Sequence, residues 1–348
     1  APVFQLFSDF LISLGYRCRF LRGKTSGGQM LAIPSSRKRH TPQQLVLGHV
    51  DTVWPLGTLE TMPVESREGC LHGPGSYDMK AGLVQAAFAI QTLLELGLEP
   101  TLAPILFINS DEEIGSHESA QNIERLARVS NRTFVVEPSL GPSGKLKTKR
   151  KGVGRFNITA NGRAAHAGLD PEKGISAIHE ISHVIQKLFA MNDLKSGTSI
   201  NVGVINGGMR PNVIAPTCRV EIDVRVTTQD EASRIEEAIH AIKPTVDGTQ
   251  LEIQGRIERP PMESTPGNQK LWQSARLAAE QLGLEIEQAA AGGGSDGNWT
   301  SQHCPTLDGL GAVGDGAHAV HEHVVESKLP ERSAFLACLL MTPALPQA

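Results

Sequence analysis

The chain has 348 residues, of which 40% are hydrophobic and 20% charged, with a formal net charge of -4. That length suits two domains better than one core, and the charge balance excludes a basic nucleic-acid surface. No window approaches the roughly 18 uninterrupted apolar residues of a membrane helix, so no membrane span is expected.

The opening stretch, APVFQLFSDFLISLGYRCRF, reads as an amphipathic helix without a basic leader. Five scattered cysteines with no CxxC pair favour reduced thiols, and with them a cytoplasmic location. LVLGHV at 45–50 is an apolar run of strand length that ends on His49 and Asp51, two groups that are costly to bury. A glycine-rich break follows, and then KAGLVQAAFAIQTLLELG, where Leu83, Ala86, Ala87, Ile90, Leu93 and Leu94 recur at helical spacing until Gly97. APILFINS at 103–110 and TFVVEP at 133–138 are further buried-strand patterns, so this part reads as an α/β layer with a mostly parallel sheet. The charged run KLKTKRK at 145–151 reads as a solvated turn.

Between 152 and 262 the rhythm becomes β-α-β-β-α-β, the order of a ferredoxin-like unit. The α/β rhythm then resumes. The expected organisation is a catalytic domain in two parts, 1–151 and 263–348, with an inserted lid or dimerisation domain at 152–262.

In open α/β sheets, ligands bind beyond the carboxyl ends of the strands. His49 and Asp51 follow the first strand, and Asp78 lies in GPGSYDMKAG. Asp111, Glu112 and Glu113 follow the second strand, and Glu137 the third. So many acids on one rim would repel each other unless a cation sat among them. Mixed imidazole and carboxylate donors suit zinc, with cobalt or manganese able to use the same set. His49 is the expected ligand, and Asp51 is placed to hydrogen-bond its ring and fix the tautomer. Asp78 taken alone reads equally well as a helix cap.

GHVDTV, GPGSYDMKAG, DEEIGS, VVEP, GRAAHAG, NVI and GDGAHAVHEHV, in this order and around an inserted βαββαβ unit, resemble the M20 metallopeptidases, most of all the glutamate carboxypeptidase branch. The resemblance implies two zinc ions per subunit, with Asp78 bridging, His49 and Glu137 at one site, and Glu113 and His318 at the other. It makes Glu112 the general base and implies a cis peptide after Asp78. His321 and His323 compete with His318, which the family pattern favours. His166 would stabilise the oxyanion, in dimeric relatives from the partner subunit, and a homodimer through the inserted domain is expected. Asn212, Arg225 and Arg259 match substrate-holding positions, Arg259 for a carboxylate. Ser295 and Gly297 in GGGSDGN are expected substrate contacts.

The activity so implied is hydrolysis of the amide bond of a small N-acyl amino acid or short peptide with a free C-terminal carboxylate, glutamate-type first. The alternatives are a deacylase of the acetylornithine or succinyl-diaminopimelate type, and a non-catalytic binding relative.

Overall fold

Continuous apolar runs form the inner strands of the first unit. The computed structural model describes residues 2–345. In chain order this unit begins with α1 (Pro2–Ser13), β1 (Tyr16–Leu21), β2 (Gln29–Pro34), β3 (Gln43–His49), β4 (Glu65–Arg67) and β5 (Cys70–His72). After them come α2 (Ala81–Glu95), β6 (Ala103–Asn109), α3 (Ala120–Arg128), β7 (Thr133–Val135) and β8 (Leu146–Arg150). Every residue of β3, β6 and β7 is buried, as strands covered on both faces must be.

The second unit holds β9 (Gly152–Asn161), α4 (Ala177–Ala190), β10 (Ser199–Gly207), β11 (Thr217–Val226), α5 (Gln229–His240) and β12 (Gln250–Arg259). The chain then returns through α6 (Pro266–Gln281), β13 (Gln288–Ala291), α7 (Gly297–Thr300), β14 (Thr306–Leu307), β15 (Gly314–Asp315), β16 (His323–Val325) and α8 (Lys328–Met341). By contacts, one unit comprises the chain up to Arg150, Met262–Ala291 and the part from Ser295 onward. The other is Lys151–Pro261 with Gly292–Gly294.

The first unit's main sheet has the order β1-β2-β6-β3-β7-β14. β3 pairs in parallel with β6 and β7, and β7 with β14, whereas β1 with β2 and β2 with β6 run antiparallel. The sheet is therefore mixed, with an antiparallel edge, rather than parallel throughout. That edge forms because β1 and β2 are joined by a short glycine-containing loop instead of a crossover helix.

The second unit's sheet, β10-β11-β9-β12, is antiparallel at every pairing. β9 and β11 alternate buried and accessible residues, so one face carries the core with Ile181, Val184 and Leu188 of α4 and Ile235 and Ile239 of α5. Ser176 caps α4 by accepting the His179 N–H at 3.2 Å, and Thr228 caps α5 in the same way.

The run 145–151, read above as a solvated turn, is largely β8. Leu146, Lys147, Thr148 and Arg150 are buried and only Lys149 is exposed. The strand pairs in parallel with β13, which the charge count alone does not reveal. On α2, Leu94 is exposed although its spacing suggested the core, and Ala89 is buried.

Close packing where α2 begins is set by Gly82. A Cβ there would stand 1.9 Å from the Val136 carbonyl oxygen and 3.2 Å from Gly311 Cα. Gly82→Ala gains about 1 kcal/mol in helix propensity but forces a backbone clash whose cost exceeds the roughly 1–3 kcal/mol of ordinary overpacking. The expected result is a net loss of stability, read as a lower midpoint of thermal unfolding.

Candidate metal centre

Three strand ends line up to build the rim. In the parallel register His49 pairs with Asn109, and Leu47 with Val135, so the residues just beyond β3, β6 and β7 emerge side by side. These segments deliver His49 and Asp51, Glu112 and Glu113, and Glu137. Asp78 arrives from a tight turn over Ser76–Lys80, and its peptide bond to Met79 is cis. Asp78 is not a helix cap, because the residue preceding α2 is Lys80 and no side chain caps that end. His318 arrives from the turn between β15 and β16, with a left-handed φ of 62°.

The donors converge in a defined order. His49 Nε2 lies 3.4 Å from Asp78 Oδ1 and 3.6 Å from Glu137 Oε1. On the other side, His318 Nε2 lies 3.3 Å from Asp78 Oδ2 and 3.2 Å from Glu113 Oε2. Asp78 thus turns one oxygen toward each pair. Ligand atoms of His49, Asp78 and Glu113 also lie within 4.8 Å of one another, as do those of His49, Glu112 and Glu137. These two groupings cross the division just described. The division by Asp78 oxygens is the more informative, because a bridging carboxylate must offer one oxygen per ion, while Glu112 falls within reach of the ligands without being needed as one.

The residues fit divalent-cation binding on an independent ground. His49 Nε2, Asp78 Oδ1 and Glu113 Oε1 are buried without any hydrogen-bond partner. Orphaned polar atoms of this kind are destabilising, and a cation satisfies them together. The electrostatics of the cluster point the same way. Burial, then repulsion from Asp78, pushes the Glu113 carboxyl up to about 8, and the same causes raise Glu137. Contact with Asp78 foremost raises His318 to about 9. Burial would raise Asp78, but its contacts with His318 and His49 outweigh that and hold it well below the usual carboxylate range.

A supporting layer fixes the ligands. His49 Nδ1 donates to the Asp51 backbone carbonyl at 3.1 Å, with Asp51 Oδ1 3.3 Å away, and Asp51 Oδ2 accepts the Glu113 N–H at 3.0 Å, so one residue orients two ligands. Arg150 stands 3.6 Å behind Glu137 Oε2 and donates its Nε–H to Asp308 at 2.6 Å. The turn carrying Glu112 and Glu113 is held by two buried aspartates. Asp111 accepts the N–H groups of Glu118 and Ser119, and Asp296 accepts from Asn109 and Ser116.

Sequence reasoning missed Arg150, hidden in a charged run, and Glu322, enclosed between two histidines. Glu322 is buried and accepts from Trp54 Nε1 at 2.8 Å and from the N–H groups of Gly75, Tyr77 and Asp78 at 2.9 to 3.0 Å. Glu322→Gln turns an amide N–H toward these donors. It is expected to weaken metal binding by about 10- to 100-fold, measured by competition with a chelator.

The remaining expected residues are placed as follows. His321 is exposed near Asp315, and the His323 ring lies against that of His72, so neither stands beside Asp78 where His318 does. Ser295 is wholly buried, donates its hydroxyl to Asp308 at 2.5 Å and accepts the Gly297 N–H at 3.0 Å. Both residues also support the loop through these internal bonds. In the second unit, Arg225 is clamped through two bonds to Asp223. Arg259 is buried at the end of β12, with its Cδ against Gly294. The exposed His166 accepts the N–H groups of Gly168 and Leu169 at Nδ1, both at 3.1 Å, which leaves Nε2 to act as a donor, and the Ala167 N–H bonds the Asn212 carbonyl.

Comparison with known proteins agrees with this geometry. Carboxypeptidase G2 of Pseudomonas sp. (strain RS-16) is 27% identical over 306 residues, covering 85% of this chain and 73% of that protein. A succinyl-diaminopimelate desuccinylase of Delftia acidovorans (strain DSM 14801 / SPH-1) is 27% identical over 346 residues, covering 93% and 88%. Among solved structures, aminopeptidase PepT from Bacillus cereus ATCC 10987 shares the fold, with a TM-score of 0.80 at 21% identity over 98% of this chain and 92% of that one. The M20 metallo-carboxypeptidase Sso-CP2 from Sulfolobus solfataricus does so with a TM-score of 0.73 at 14% identity, over 97% and 92%. The profile of peptidase family M20/M25/M40 matches residues 45–342, and this chain belongs to that family.

Proposed function

We propose that the protein is a dinuclear zinc amidohydrolase that cleaves the amide bond of an N-acyl amino acid or short peptide with a free C-terminal carboxylate, glutamate-type first. The observation that carries the reading is the division of Asp78 between His49 with Glu137 and His318 with Glu113, with Glu112 in the same cluster. Two divalent ions held there would supply Lewis acidity to the scissile carbonyl and make a water nucleophilic near neutral pH.

The chain's own residues do the rest. Glu112 takes the proton of the attacking water and returns it to the leaving nitrogen, which must depart as an amine. Asp51 keeps His49 in the tautomer that presents Nε2. His166 donates from Nε2 to the oxyanion, and Arg259 receives the substrate carboxylate with the planar fork suited to it. Asn212 helps to hold the substrate. Arg225, its guanidinium oriented by two bonds to Asp223, helps to hold it as well.

The inserted unit is read as a ferredoxin-like lid and dimerisation domain. The edge strand β10, which exposes Val204 and Ile205, supports a homodimer through it. Unpaired cysteines favour a cytoplasmic setting.

A second reading, deacylation of succinyl-diaminopimelate-type substrates, is favoured by the desuccinylase relative, which matches at the same identity as the carboxypeptidase and over more of the chain. Zinc-loaded protein should be offered N-acyl glutamates, N-succinyl diamino acids and dipeptides in parallel. Highest kcat/KM on an N-acyl glutamate supports the first reading, a preference for succinylated diamino acids supports the second, and no turnover on any of them with zinc bound sinks both.

A further inference from the structure

We propose that His179 and His183, on α4 of the inserted unit, form a site for a divalent transition-metal ion of the zinc, copper or nickel class, separate from the carboxylate-rich centre. The inference does not depend on the substrate reading above.

The two histidines are four residues apart on a helix, a spacing that stacks side chains on one face. Their ring centroids are 4.8 Å apart and their Nε2 atoms face each other at 3.1 Å. Imidazole nitrogens bound to one cation lie about 2.0–2.1 Å from it, which places them about 2.9 Å apart at a right angle and about 3.4 Å apart in a tetrahedron. The observed separation falls between these two limits, so both rings can take one ion without leaving the helix surface.

Neighbouring groups neither fill nor neutralise the position. Lys187, one turn further along, is turned away to the Lys243 carbonyl at 2.8 Å and the Thr245 hydroxyl at 2.7 Å. Glu180 is buried on the other side, accepting from Thr245, Val246 and Thr249. His179 is exposed and borders an open cleft, so water can complete the coordination. Two imidazoles with no thiolate select borderline cations over magnesium or calcium, which take oxygen cages. The competing account is a single N–H···N bond between neutral rings, which holds no ion.

The test is equilibrium dialysis of the full, untagged chain at fixed free Zn²⁺, with bound metal counted by mass spectrometry for wild type, His179→Gln and His183→Gln. Retention on a Ni²⁺-charged column is run alongside. Wild type should hold one further ion per chain than either variant and be retained on the column, while both variants elute early with hydrolytic activity unchanged. Equal ion counts in all three proteins overturn the proposal. Should one variant fail to fold by circular dichroism, the count for the other decides. Retention surviving Asp78→Ala but lost in His183→Gln assigns the column contact to α4, and the reverse overturns it.

Discussion

Exchanging Glu112 for Gln is expected to cut kcat by about 10²- to 10⁴-fold and to leave bound metal unchanged. The carboxamide keeps the size of the side chain and one acceptor oxygen but cannot take a proton from water or pass it to the leaving nitrogen. Because Glu112 falls in the ligand cluster without being one of the residues between which Asp78 divides, the ions should remain. Steady-state rates with metal analysis on the same samples check both halves. If metal is lost with the activity, Glu112 is a ligand, and the base must be sought elsewhere.

Asp78→Ala has the larger structural effect. The substitution removes the one carboxylate shared by both histidines, and metal content and hydrolysis should collapse together, activity to less than about a thousandth. The pH behaviour of the parent protein gives a second readout. In the metal-free protein His318 is raised to about 9 and Glu113 to about 8, so both carry a proton at pH 7. Metal needs the same lone pairs, so its uptake at pH 7 must release protons, and affinity must strengthen as pH rises toward 9. Since Asp78→Ala holds little metal, metal addition should release almost no protons from it, against a clear release from the parent protein. A pH indicator in weakly buffered solution measures both.

How much of this could be read from sequence follows from what each residue answers to locally. His49 and Glu137 are legible because an apolar strand that ends in a charge is anomalous by itself, and the βαββαβ rhythm is carried by side-chain periodicity. Arg150 was not legible. Its neighbours Lys147, Lys149 and Lys151 imitate a solvated run, and only the parallel partner β13 and the acids Asp308 and Glu137 explain why it is buried. Glu322 answers to backbone N–H groups about 245 positions away, a relation no window of sequence contains. The partner of Ser295 was hidden for a related reason: a glycine-rich turn does not show that Asp308, 13 positions on, takes the serine hydroxyl.

The Glu322 carboxylate ties the indole of Trp54, just beyond the His49 strand, to the turn that carries Asp78, and does so from a position four residues after His318. Three ligand-bearing segments therefore share one keystone that is not itself in the ring of donors. A frame braced from behind keeps its span whether or not anything occupies it. Substituting one divalent ion for another should thus resemble changing a lamp in a fixed socket, with the occupant decided by supply and donor chemistry rather than by refolding of the chain.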